Sequence, residues 1–168
     1  YRAGTQARPE RIIISSWQDY RTCGHPILDW VAAGSRALFT LDGIEQDSLQ
    51  VEGLRISLKD MNGLTFVARN AQEAHTREFR PQDFSFWYNE DNDGLDFIAE
   101  KYIDCEQIVP LVFTYQKPEF SGSAQGPKRR LPVVGYVPYG RGELVLSTLR
   151  LRGFVGVNPI LDRFLKKL

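Results

Sequence analysis

Two short apolar runs, RIIISS (11–16) and RALFTL (36–41), bracket a stretch with helical spacing, and that order constrains the fold more than any other feature of the chain. Runs this rich in β-branched and aliphatic residues suit strands buried on both faces, which places 11–16 inside a sheet. Between them, HPILDWVAAGS has Pro26 where a first helical turn tolerates it, Ile27, Leu28 and Val31 along one side, and Gly34 where a helix stops. The expected helix is about two turns long. A strand, a helix and a strand in succession make a parallel pair, because the chain must cross over to re-enter the sheet at the same end.

The end of the chain repeats the order of strand then helix. A strand-like run, 144–151, stops at a glycine-rich loop, after which Asn158 can cap and Pro159 suits the first helical position. Ile160, Leu161, Phe164, Leu165 and Leu168 then share one face, while Asp162, Arg163, Lys166 and Lys167 take the other. Such a helix is expected to dock on the sheet. The middle differs: LQVEGLRISLKDMNGLTFVAR alternates in places and contains Asn62-Gly63, a hairpin signal, so 49–69 reads as an antiparallel excursion. DFSFWYN (83–89) is an edge strand or a packed loop, and LDFIAEKYI (95–103) is helix or strand. QIVPLVFTYQK and LPVVGYVPYG are strands on either side of a polar, glycine-containing linker, with Pro110 and Pro138 at strand ends or edges.

The segments DWVAAGSRALFTL, FVARNAQEAHTREFRPQDFSFWYNED and LPVVGYVPYGRGELVLSTLRL, closed by NPILDRFLKKL, resemble the class I glutamine amidotransferase-like domain that accompanies bacterial glycoside hydrolases. They are most similar to the version placed toward the C-terminus of family 2, the group of β-galactosidases, β-mannosidases and β-glucuronidases. The resemblance spans 12–168 and implies an α/β domain, a flavodoxin-like three-layer sandwich with a mainly parallel sheet and an antiparallel insertion. It also implies a single domain over 1–168, a C-terminal fragment of a larger protein. Such a domain is noncatalytic in itself and packs against other domains of the same polypeptide. The family's further strand and helix are not found before Arg11, and its cysteine elbow with a late histidine and acid has no counterpart here. The catalytic glutamates of family 2 lie in a separate barrel domain, so no residue of this sequence inherits their role.

Composition sets the outer bounds. With 168 residues, 42% hydrophobic and 25% charged, the chain fits one ordinary globular core. Lys+Arg and Asp+Glu balance at 21 each, and the basic cluster Lys128-Arg129-Arg130 reads as loop, so nucleic acid is not an expected partner. No apolar run approaches the ~20 residues that cross a bilayer, and YRAGTQARPE lacks the pattern of a signal peptide. A membrane is therefore not expected either. A chain that starts at Tyr1 reads as a piece of a longer polypeptide, a saccharide is a plausible ligand, and a homo-oligomer is compatible with everything above. The two cysteines, Cys23 and Cys105, are too few for a disulfide framework and show no metal-ligand spacing, so no cofactor or metal is expected.

Candidate chemistry is sparse. Cys23 and His25 could act as nucleophile and base in an autonomous amidotransferase-like hydrolase, yet two residues apart they rarely aim at one point. His75 sits in a polar stretch and is expected to be exposed. Asn89, Asp91, Asp93, Gly94 and Glu100 fall on positions of a calcium loop, with Asp96 where such loops carry an apolar residue; a solvated acidic turn is the competing reading. Trp17, Trp87 and Tyr88 are the candidate substrate-binding residues, since flat aromatic rings suit the C–H faces of sugars, as in a carbohydrate-binding module. Aromatics equally serve cores.

Overall fold

The computed structural model describes residues 8–45, 47–61, 68–85, 87–89, 93–115 and 129–168. Its elements are β1 (Arg11–Ile14), α1 (Trp17–Ala32), β2 (Arg36–Thr40), β3 (Ser48–Val51), β4 (Leu54–Asp60) and β5 (Ala68–Arg69), then a 3-10 turn (Pro81–Phe84). There follow β6 (Trp87–Asn89), β7 (Gly94–Asp96), β8 (Lys101–Asp104), β9 (Val109–Tyr115), β10 (Arg130–Tyr139), β11 (Gly142–Ser147) and α2 (Pro159–Leu165). Among the described residues the strands form a six-stranded sheet in the order β1-β2-β11-β10-β9-β5, a three-stranded sheet β3-β4-β8 and the hairpin β6-β7.

The expectation of a flavodoxin-like sandwich with a mainly parallel sheet is overturned. Only β1–β2 and β2–β11 pair in parallel; β11–β10, β10–β9, β9–β5 and every pairing of the smaller sheets are antiparallel. The reason is connectivity: a parallel pairing needs a crossover, usually a helix, and between β2 and β11 the described chain runs through strands and turns. The result is a mixed, strand-dominated fold in which one β–α–β unit is grafted on an antiparallel meander.

That unit forms as its sequence order requires, but α1 starts well before Pro26. Ser16 caps it, accepting from the Asp19 amide at 3.0 Å, and Asp19 in the first turn accepts from the Ser15 hydroxyl at 2.6 Å. Trp17, Tyr20, Ile27, Leu28 and Val31 then recur on the buried side, and this apolar stripe holds the helix through Pro26 despite the missing amide. β1 also departs from expectation. It is the edge of the sheet, and Ile13 is 71% exposed.

The expected antiparallel excursion contains β3 and β4, whose turn is Glu52-Gly53; both have positive φ (38° and 84°), the conformation that matches strand twist in a two-residue hairpin. Asn62-Gly63 lies outside the described residues. The ambiguous 95–103 segment is not helix: its two ends belong to β7 and β8, and 97–100 connect them without regular structure. Central strand β10 carries two prolines, and it tolerates them through register shifts after Pro132 and because its pairing with β9 ends at Tyr136.

Side chains alternate across the main sheet and build two cores. On one face Ala37, Phe39, Leu144 and Leu146 meet α1 and the small sheet through Leu28, Val31, Ile56 and Ile103. On the other, Leu38 and Val145 meet Leu161, Phe164 and Leu168 at the chain's end, with Phe79 and Phe84 within 5.4 and 5.0 Å of the Phe164 ring. The closing helix therefore docks as its apolar face predicts. Its cap is Asn158, which accepts from the amides of Ile160 and Leu161 at 2.9 and 3.1 Å.

Candidate functional site

The aromatic candidates occupy three different settings. Trp17 opens α1 and stacks on Tyr20 (5.2 Å) and Phe39 (6.2 Å), half-buried on the α1 face of the sheet. Trp87 belongs to the opposite core: it is 2% exposed, its indole N–H donates to the Asp83 carbonyl at 3.2 Å, and its ring packs 5.3 Å from Phe154. Trp17 and Trp87 therefore share no surface. Tyr88, the next residue on β6, points outward at 52% exposure, and its hydroxyl donates to Asp93 at 2.6 Å. Its cross-strand neighbour Leu95 is 67% exposed, and Phe97, just past the end of β7, is about half exposed.

Of the calcium-loop positions, Asn89, Asp93 and Gly94 belong to this β6–β7 hairpin, and Glu100 lies beyond it, just before β8. Asn89 donates to Asp96 at 2.7 Å, Asp93 is engaged by Tyr88, and the Glu100 carboxylate pairs with Arg150 at 2.9 Å. Asp91 lies outside the described residues. Among the described residues no three His, Cys, Asp or Glu side chains converge as a metal set, and no helix is long and apolar enough to cross a membrane.

Cys23 is exposed on α1, while His25 turns to Glu52 in the β3–β4 turn, 2.7 Å from its carboxylate; Tyr139 donates to the same carboxylate at 3.2 Å. Cys105 is buried, and burial pushes its thiol above the ordinary value, which makes it a poorer nucleophile. His75 corrects the expectation of exposure. It is 8% exposed, its ring lies 5.5 Å from Tyr136, and Nε2 is 3.3 Å from the Glu143 carboxylate, although neither ring nitrogen makes a well-aligned hydrogen bond.

His75 leads to a polar assembly that sequence reading missed. At the amino ends of β1, β2 and β11, alternation turns Arg36 and Glu143 toward the α2 face, where Glu143 accepts from Arg36 Nε at 2.9 Å. Arg36 also donates to the main-chain oxygens of Lys167 (3.1 Å) and Leu168 (3.0 Å), Arg11 donates to that of Lys166 (2.7 Å), and Arg8 donates to Ala33 at the end of α1. Helix ends leave such carbonyls without partners, and arginines here supply them. Beside them opens a shallow groove of ≈ 400 Å³ whose rim carries Arg8, Arg11, Arg36 and Arg141 together with Glu10 and Glu143. The available signal was that both apolar runs begin with arginine and that another sits in the Gly140–Gly142 turn.

A third feature lies on the small sheet. Asp104 accepts from Lys59 and, at 2.5 Å, from Arg129, and these partners, the Lys59 hydrogen bond first, hold its carboxyl below the usual aspartate range.

No protein-family model and no curated protein matches the sequence. Solved structures similar to it include a cold-adapted β-galactosidase from Rahnella sp. R3, at 16% identity and TM-score 0.45, over 95% of this chain and 23% of that one. A catalytic mutant of a glycoside hydrolase family 42 β-galactosidase from G. stearothermophilus has 12% identity and TM-score 0.45 over 94% and 21%. A β-galactosidase from Bacillus circulans sp. alkalophilus has 12% identity and TM-score 0.41 over 86% and 20%. The chain spans about a fifth of the length of these proteins. Neither the amidotransferase-like nor the family 2 resemblance finds support in these comparisons.

Proposed function

We propose that this chain is a noncatalytic accessory domain of a carbohydrate-active glycoside hydrolase, packing against the catalytic part of a larger polypeptide. The observation that supports this reading is the outer surface of the β6–β7 hairpin, where the cross-strand pair Tyr88 and Leu95 stands exposed, with Phe97 also exposed just past β7. Large apolar side chains gathered on a surface mark a place where another surface sits. The nucleophile-bearing residues fit the same reading: His25 is engaged by Glu52 rather than poised for Cys23, and Cys105 is buried.

The test has two arms. Assayed alone on chromogenic glycosides and on glutamine, the chain gives no turnover; turnover that disappears in Cys23→Ala overturns the reading in favour of an autonomous Cys-dependent hydrolase. In the larger protein, Leu95→Glu lowers the melting temperature of the catalytic part while the melting temperature of the isolated chain stays the same. An unchanged melting profile of the larger protein overturns the packing surface.

A second reading, a carbohydrate-binding module, is favoured by the Tyr88 ring, an exposed flat face whose hydroxyl is fixed by Asp93. In that reading Tyr88 stacks on the sugar, Trp87 anchors the strand beneath it, and Trp17 serves a separate surface on the α1 side. Saturable saccharide binding that is lost in Tyr88→Ala, with stability unchanged, selects it.

A further inference from the structure

We propose that the groove at the amino ends of β1, β2 and β11 is a site for a small multivalent oxyanion, of the phosphate or polycarboxylate kind, held by the guanidiniums of Arg8, Arg11, Arg36 and Arg141. The first argument is charge. Four guanidiniums line the groove against two carboxylates, and one of these, Glu143, is taken by Arg36 at 2.9 Å. The chain as a whole balances 21 basic against 21 acidic residues, so this excess is a local concentration.

The second argument is preorganisation. Bonds from Arg8, Arg11 and Arg36 to the terminal carbonyls of α1 and α2 fix the direction of each guanidinium. A carbonyl is a dipole, and even a whole helix end supplies only about half a negative charge. The Ala33 and Lys166 carbonyls thus restrict the rotamers of Arg8 and Arg11 before any ligand arrives without neutralising these cations. A guanidinium has several N–H donors, and Arg8 and Arg11 each direct one of them to a carbonyl, leaving others to present to an anion.

The third argument is Arg141, which no capping role explains. Its backbone N–H bonds the Ala32 carbonyl at 2.9 Å, pinning the residue to the end of α1, while its exposed side chain has no hydrogen bond or ion pair among the described residues and lines the groove. Between the arginines the described lining is Gly34, Ser35 and Gly142, two residues without a side chain and one small one. Planar guanidinium forks match paired oxyanion oxygens better than any other side chain does.

The experiment titrates the full chain with inorganic phosphate, then sulfate and citrate, by calorimetry and thermal melting at an ionic strength held constant with sodium chloride. Saturable heat and a rise in melting temperature above the chloride control are expected. Arg141→Gln, which breaks no side-chain hydrogen bond or ion pair among the described residues, weakens phosphate binding by about tenfold or more, the equivalent of one charge-assisted hydrogen bond, and leaves the ligand-free melting temperature as it was. Arg141→Lys, with its charge but without the fork, falls between. Tighter binding of citrate assigns the groove to a polycarboxylate, tighter binding of phosphate to a phosphate group. A response that grows without saturating and equals that of chloride, or wild-type phosphate affinity in Arg141→Gln, overturns the proposal.

Discussion

Arg36 and Glu143 face each other across the parallel β2–β11 pair, 2.9 Å from Nε to carboxylate, and each ties down a second element. Glu143 lies 3.3 Å from the buried His75, and Arg36 reaches the last carbonyls of the closing segment. Arg36→Met removes the Glu143 ion pair and the carbonyl bonds at once and leaves a half-buried carboxylate beside a buried imidazole. It is expected to cost about 2–3 kcal/mol, the range for hydrogen bonds to charged groups, and more than Glu143→Gln, which keeps an acceptor for the guanidinium. Urea unfolding of the two variants decides it; equal losses would show that the carboxylate, not the carbonyl bonds, holds the end of α2.

Gly142 has no room for a methyl group. A Cβ there would lie 2.1 Å from the Ser35 oxygen and 2.3 Å from that of Val31, both backbone atoms that cannot rotate away. Gly142→Ala should separate the β10–β11 turn from α1 at a cost of about 1–3 kcal/mol, the usual scale of overpacking. A denaturant midpoint at the wild-type value would refute this close approach.

Adjacent residues Trp87 and Tyr88 should respond oppositely to truncation. Trp87→Ala empties a buried indole site and is expected to cost about 3–5 kcal/mol, whereas Tyr88→Ala, on the outer face, should change stability by about 0.5 kcal/mol or less. Comparable losses at the two positions would mean that the outer face of the hairpin is itself covered.

Helix α2 supplies two fully buried side chains, Leu161 and Phe164, to one core, and Leu168 just past it adds a third, with Phe164 at the centre of the Phe79–Phe84 ring cluster. Phe164→Ala should cost about 3–5 kcal/mol, and a chain ending at Val157 should lose its cooperative unfolding transition. A sharp transition in the truncated chain at an unchanged midpoint would show that α2 is dispensable.

Asp104 gives a pH dependence whose sign follows from its partners. Lys59 and Arg129 lower its carboxyl in the folded chain, so its contribution is present above the ordinary aspartate value, about 4, and is lost as pH falls through the lower folded value. The pair is largely exposed, so the effect is small and screened by salt. Asp104→Asn should lower stability slightly at neutral pH and converge with the wild type in acid. Parallel stability profiles throughout would rule out the ion pairs in solution.

The local signals in this sequence are legible where neighbours along the chain decide the structure. The β1–α1–β2 order and the capped, one-sided α2 are such cases, although α1 begins at Trp17 because the Ser16–Asp19 cap and the stripe through Tyr20 outweigh Pro26. Sheet class is not decided locally. A tight turn sets β11 beside β10, but whether β11 lies beside β2 depends on pairings more than a hundred residues apart, such as Glu143 with Arg36, and no pattern of alternation encodes them. Burial of His75 escaped notice for the same reason, since Tyr136 and Glu143 arrive from distant strands. The arginine groove is spread over residues 8 to 143 and has no motif at all. Aromatic residues were legible as candidates but not as to face: Trp87 and Tyr88 differ only in which side of β6 they occupy.

The position of β1 has a practical consequence for anyone handling the protein. Its outer backbone groups have no ladder partner among the described residues, and Ile12 and Ile14 turn toward α1 while Ile13 faces outward beyond the reach of α2. An aliphatic strand with an open hydrogen-bonding edge is a template on which another chain can polymerise, and a charged residue at its start is the usual guard. Arg11 stands in that position, but its guanidinium is tied to the Lys166 carbonyl. Concentrated preparations should therefore form fibrils or soluble aggregates seeded at this strand, and Ile13→Lys should keep them dispersed without disturbing either core.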